Sequence, residues 1–145
     1  MYIAFYKGNK HWYSILIKLW TNSQYSHCEL YDGNFLIGVS SKYKRVRKQP
    51  IKLDREKWDV YCLVLRKEKV ENFFQKTKGK PYDWKGILFS QVLNLRKQDK
   101  EKYTCSEWIA ELLDSEFNCF YPKRYANITP EDLHELITKG GNNDY

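Results

Sequence analysis

The first third of the chain is patterned as short strands, and the remainder mostly as helices. Tyr2-Ile3-Ala4-Phe5-Tyr6 is an apolar, aromatic-rich run closed by the turn formers Lys7-Gly8-Asn9, and it predicts a strand. Over residues 11–21, Trp12, Ile15, Leu16, Leu19 and Trp20 recur at helical spacing, which predicts an amphipathic helix packed on the core. After the polar loop Thr21-Asn22-Ser23-Gln24, residues 27–31 and 35–39 read as two strands joined by Asp32-Gly33-Asn34, a hairpin turn. Residues 58–65 are apolar, β-branched and aromatic, and are the best candidate for a central strand.

Helical spacing then takes over. Residues 69–78 place Val70, Phe73, Phe74 and Thr77 on one side, with Gly79 as the stop. Asp83 can cap a helix carrying Trp84, Ile87, Leu88, Val92 and Leu95. Cys105, Trp108, Ile109, Leu112 and Leu113 form one face of the next helix, which ends over residues 114–118. The last helix starts at Thr129-Pro130-Glu131-Asp132-Leu133, and Gly140-Gly141 ends it. No repeat, linker or low-complexity tract divides the chain. Strands first and helices later predict an α+β fold, a small antiparallel sheet packed against helices, as a single domain over residues 1–145.

Composition refines this only slightly. With 42% hydrophobic and 30% charged residues, the chain reads as an ordinary globular protein long enough to bury a core. No run of about eighteen apolar residues predicts a membrane span. The N-terminus lacks the apolar run and cleavage site of a signal peptide, so a cytoplasmic location is expected. The net charge of +7 suits solubility or an anionic partner, but no nucleic-acid motif accompanies it. Residues 42–48 concentrate Lys42, Lys44, Arg45, Arg47 and Lys48 around Tyr43 and Val46, which reads as a solvated edge strand or as a basic rim beside a groove. Cys28, Cys62, Cys105 and Cys119 include no CxxC pair, so reduced thiols are expected, with no cofactor and no metal. Strand neighbours such as His27 and Cys28 point to opposite faces, which argues against a shared zinc ion. Cys28, Cys62 and Cys119 read as core residues, and His134 as a surface residue.

The chemistry-bearing stretch is Tyr103-Thr104-Cys105-Ser106-Glu107-Trp108. Thr104 and Glu107 have the spacing of a capping box, which puts Cys105 at the first helical residue. Free backbone N–H groups and the helix dipole there favour a thiolate and can hold an oxyanion. On the strand of residues 27–31, alternation sends His27, Glu29 and Tyr31 to one face. A helix packed across the sheet can bring Cys105 over His27, forming a thiolate–imidazole dyad. Pairing across the turn sets His27 opposite Gly38 or Val39. The group orienting the imidazole is then Glu29 on its own strand, or Ser40 or Ser41 as diagonal neighbours. The candidate catalytic residues are therefore Cys105, His27, Glu29 and Ser41. Tyr25 and Tyr103, which adjoin them, and Arg45 and Arg47 of the basic stretch are candidates for substrate contact.

Tyr25-Ser26-His27-Cys28-Glu29-Leu30 preceding Tyr103-Thr104-Cys105-Ser106-Glu107-Trp108 resembles the permuted NlpC-like branch of the papain-like cysteine hydrolases, in which the histidine strand comes before the cysteine helix. The lead-in Leu19-Trp20-Thr21-Asn22-Ser23-Gln24-Tyr25, the stretch Gly79-Lys80-Pro81-Tyr82-Asp83 and the closing Thr129-Pro130-Glu131-Asp132-Leu133 extend the likeness over nearly the whole chain. The resemblance implies a circularly permuted papain-like fold, Cys105 as nucleophile and His27 as base. It also implies action on amide or ester bonds, of peptidoglycan peptides or lipid-like acyl groups, and a bacterial or bacteriophage type. Where many relatives have a polar or acidic side chain after the histidine strand, Phe35-Leu36-Ile37-Gly38-Val39 is wholly apolar. That departure leaves room for a second expectation, a binding or assembly module that keeps the fold without efficient chemistry.

Overall fold

The computed structural model describes residues 1–8, 18, 23–83, 101–119, 125 and 127–139. Within them the chain runs β1 (Tyr2–Tyr6), β2 (His27–Tyr31), β3 (Phe35–Ser40), β4 (Arg45–Pro50), β5 (Trp58–Cys62), α1 (Lys67–Thr77), α2 (Cys105–Phe117) and α3 (Pro130–Lys139). The expected helices over residues 11–21 and 84–95, the tip of the Lys7-Gly8-Asn9 turn and the Gly140-Gly141 stop lie outside the described residues. The architecture is α+β, with strands preceding helices.

The five strands form one antiparallel sheet in the order β4-β3-β2-β1-β5. β2 is therefore the middle strand, and residues 58–62 form an edge rather than the expected centre. Sequence reading favoured the centre because Trp58, Val60 and Tyr61 suit a strand buried on both sides. Here Val60 is exposed and Trp58 and Tyr61 are only half-buried. The opposite edge is β4, and its alternating Arg45, Arg47 and Gln49 suit an edge position.

Alternation sorts the sheet into two faces. Ile3 and Phe5 pair with Leu30 and Cys28, and this row continues through Ile37, Val39 and Val46 into one core. Val70 and Phe74 of α1, Leu133 of α3 and Trp108, Ile109, Leu112 and Leu113 of α2 close over it. Burying this many large apolar side chains, at roughly 1.5–3 kcal/mol each, supplies most of the driving force for the fold.

Helix α2 is buried on nearly every side, not on one face alone. Its polar residues are accommodated by specific partners. Ser106 Oγ donates to the Ile128 carbonyl, Asp114 accepts from the Tyr125 hydroxyl, and Trp108 Nε1 donates to Thr77 Oγ1 at 2.9 Å. Asn118 ends α2 in the left-handed conformation at φ 49°. At α3, Thr129 and Asp132 exchange side-chain and backbone hydrogen bonds, forming the expected N-terminal cap. No helix among the described residues is long and apolar enough to cross a membrane.

Candidate active site

Thr104 holds extended backbone angles of φ −85° and ψ 167°, so the chain enters α2 at Cys105. The Glu107 N–H donates to Thr104 Oγ1 at 3.3 Å, and Glu107 Oε2 accepts from the Thr104 N–H at 3.2 Å. This reciprocal box fixes Cys105 as the first helical residue, at the positive end of the helix dipole. Cys105 is 5% exposed.

β2 begins at His27, at the same end of the sheet. The His27 ring is hydrogen-bonded to the Cys105 thiol, and His27 Nε2 lies 2.7 Å from Glu29 Oε1. With Nε2 committed to Glu29, Nδ1 is the ring nitrogen left to the sulfur. Trp58 meets the same ring edge-on at 6.3 Å between centroids.

Glu29 is 2% exposed and is held from its far side by Arg47. Arg47 Nη2 donates to Glu29 Oε1 at 3.0 Å and Nη1 donates to Oε2. These two residues sit on β2 and β4, with β3 between them. The pairing Leu30↔Ile37, continued along the strands, sets Glu29 beside Gly38, and Gly38 pairs with Arg47. Gly38 has no side chain, so the carboxylate and guanidinium meet across the intervening strand. A Cβ there would already stand 3.5 Å from Glu29 Cγ.

The same continued register sets His27 beside Ser40 rather than opposite Gly38 or Val39. The cause is the turn. Asp32 N–H bonds to the Phe35 carbonyl while Asp32 Oδ1 accepts from Asn34 and Phe35, so Asp32 faces Phe35 and only Gly33-Asn34 is left as the loop, one residue shorter than expected.

Electrostatics couples these groups. The Cys28 thiol and backbone N–H both hydrogen-bond to Cys105 sulfur, and with the His27 charge they outweigh burial and hold the Cys105 thiol well below its ordinary 9.0. Burial lowers the His27 pKa, but the Cys105 thiolate and then Glu29 overcome it and raise the imidazole to about 10. Burial raises Glu29, and His27 and Arg47 reverse this, leaving its carboxyl below the usual range. Cys28 is pushed up, first by burial and then by the adjacent Cys105 thiolate. These shifts all run in the direction that favours a thiolate on Cys105 and an imidazolium on His27, with the Glu29 carboxylate and Arg47 behind them.

Several expectations require correction. Ser41 lies in the turn after β3, the Ser40 hydroxyl accepts from the Lys42 N–H, and the His27 ring is held by Glu29 instead. Tyr25 is fully buried, its ring tilted against Phe5 with centroids 5.1 Å apart and its hydroxyl donating to Asp59 Oδ2 at 2.8 Å, so it is a core residue. Tyr103 adjoins Cys105 in sequence but is 3% exposed, with its hydroxyl bonded to Glu111. Arg47 turns inward onto Glu29, and the Tyr43 ring packs over it at 5.0 Å. Arg45 remains exposed at the start of β4, on the rim. His134 is half-buried rather than a plain surface residue. Its ring packs among Phe5, Tyr25 and Tyr61, and its Nε2 meets the Tyr61 hydroxyl at 2.9 Å. Cys62 and Cys119 are exposed, whereas Cys28 is buried.

Sequence reading missed two participants and gave a third another role. Gly38 was visible only as a glycine in an apolar strand and Cys28 only as a small core residue, while Arg47, read as a candidate for substrate contact, anchors Glu29 instead. Alternation separates Cys28 from His27, yet the Cys105 sulfur lies where both reach it, because the strand begins there. Among the described residues no group of three or more His, Cys, Asp or Glu side chains is arranged to hold a metal ion. Compared with protein-family models, curated proteins and solved structures, the chain matches none.

Proposed function

We propose that the protein is a cysteine hydrolase or acyltransferase acting on amide or ester bonds through an acyl-enzyme on Cys105. The observation that carries this is the continuous line Cys105–His27–Glu29–Arg47, in which a helix-N-terminal sulfur meets an imidazole anchored by a buried carboxylate. The thiolate attacks a carbonyl carbon, and the oxygen gathers negative charge near the N–H groups at the start of α2 that the Thr104 cap does not engage. His27 gives its proton to the leaving amine or alkoxide as the C–N or C–O bond breaks. A water molecule or acceptor alcohol then loses a proton to His27 and attacks the thioester, releasing Cys105 as thiolate.

The histidine strand preceding the cysteine helix supports assignment to the permuted NlpC-like, papain-like hydrolases. In that setting the substrate is a peptidoglycan stem peptide or a lipid-like acyl compound. Expectation of a binding module without chemistry rested on the lack of an acidic partner for His27, and Glu29 occupies that place.

The test is iodoacetamide labelling of Cys105 across pH, combined with mass spectrometry after incubation with an activated acyl ester and with a stem-peptide amide. The expected result is rapid alkylation with an inflection below pH about 8. An acyl adduct on Cys105, absent from Cys105→Ala, should accompany it. Alkylation no faster than that of a free thiol would sink the idea.

A further inference from the structure

All four cysteines lie among the described residues, and only one is placed against Cys105. Cys28, on the middle strand, brings both its thiol and its backbone N–H to the Cys105 sulfur. Cys62 ends β5 and pairs with Tyr2, whereas Trp58, beside His27, stands at the other end of that strand. Cys119 lies beyond the C-terminus of α2, a helix length away from Cys105. Neither can meet Cys105 without rearrangement of the fold.

We infer that Cys105 and Cys28 form a peroxide-responsive thiol pair, in which Cys105 is oxidised first and Cys28 resolves it to a disulfide. The inference rests on the reading of Cys105 as a thiolate. Burial sets the order of events. Cys28 has no exposed surface, while Cys105 keeps 5% and the adjoining His27 side chain 17%, so a small peroxide reaches only Cys105. Oxidation also follows thiolate character, which Cys105 has and Cys28 lacks.

The chemistry balances with hydrogen peroxide as the oxidant. The Cys105 thiolate forms an S–O bond as the O–O bond breaks, and the departing hydroxide takes the His27 proton to become water. Sulfur has then lost two electrons to the peroxide. The Cys28 sulfur then attacks the Cys105 sulfenic acid, and as the S–O bond breaks the departing hydroxyl takes the Cys28 proton and leaves as water, so two thiols and one peroxide give one disulfide and two waters. The product occupies the nucleophile and protects it from irreversible oxidation to sulfinic acid.

The experiment treats the reduced full chain with hydrogen peroxide, blocks free thiols with iodoacetamide and maps the peptides by mass spectrometry. A Cys28–Cys105 cross-linked peptide is expected, with complete loss of alkylation at Cys105 and complete recovery after dithiothreitol. In Cys28→Ser and Cys28→Ala, each checked for native circular dichroism, Cys105 is expected to pass to sulfinic acid, which dithiothreitol does not reverse. Sulfinic acid formed as readily in the parent chain, or Cys105 cross-linked to Cys62 or Cys119, would overturn the inference while leaving the thiolate reading intact. If Cys105 resists both iodoacetamide and peroxide, the two fall together.

Discussion

Glu29 and Arg47 stand on strands that are not neighbours, yet the guanidinium grips the carboxylate that holds the His27 ring. A buried carboxylate with a single partner would be costly, and the second partner makes the burial tolerable. Arg47→Met therefore leaves Glu29 half-compensated and should destabilise the fold on the order of 3 kcal/mol, read by urea unfolding. Because the Glu29 carboxyl is depressed below its ordinary 4.5, its stabilisation is present above that pH and disappears as pH falls through the folded value. The gap between wild type and Arg47→Met should accordingly be largest at neutral pH and shrink below about pH 4.5.

Glu29→Gln keeps the shape but removes the charge that orients and stabilises the imidazolium. Turnover should fall by about a hundredfold or more, with little change in KM. If Glu29 only filled space, the glutamine variant would be as active as the parent.

Gly38 is the gap through which this pair meets. Its φ of +155° and the nearby Glu29 side chain predict a graded response to substitution. Gly38→Ala should cost about 1 kcal/mol, whereas Gly38→Leu should push Glu29 and Arg47 apart and reduce activity as strongly as Glu29→Gln. Thermal melts and kinetics on the same samples distinguish the two effects.

The charge state of the dyad fixes its pH profile. Cys105 ionises well below 9.0, so alkylation should rise with pH through an inflection well under that value and then stay level. His27 is raised to about 10, so turnover requiring its proton should decline as pH climbs through that value. Removing the Glu29 charge should move the declining limb to lower pH, since the carboxylate helps to raise His27. A stopped-flow pH series on wild type and Glu29→Gln checks both limbs.

Thr104 sets where α2 begins. Thr104→Ala deletes the acceptor for the Glu107 N–H and should lower stability by about 1 kcal/mol, seen as a drop of several degrees in Tm. Alkylation of Cys105 should slow in parallel, because the helix start loosens around the sulfur.

Much of this was legible from residue order. The capping box at Thr104 and Glu107, the hairpin around Asp32-Gly33-Asn34, the α+β order and the caps of the last two helices all follow from interactions within a few residues, where spacing alone specifies geometry. Relations between distant segments were not legible. Which strand lies in the middle, which tyrosines are buried, and that Arg47 serves Glu29 instead of a substrate depend on strand order and on a register slipped by one turn residue. Glu29 shared a face with His27 by alternation, but only the β2–β3–β4 stacking, open at Gly38, decided that it would be anchored. Cys28 shows the limit most plainly. Alternation assigned it to the far side from His27, and only the approach of α2 to the beginning of β2 set its thiol beside Cys105.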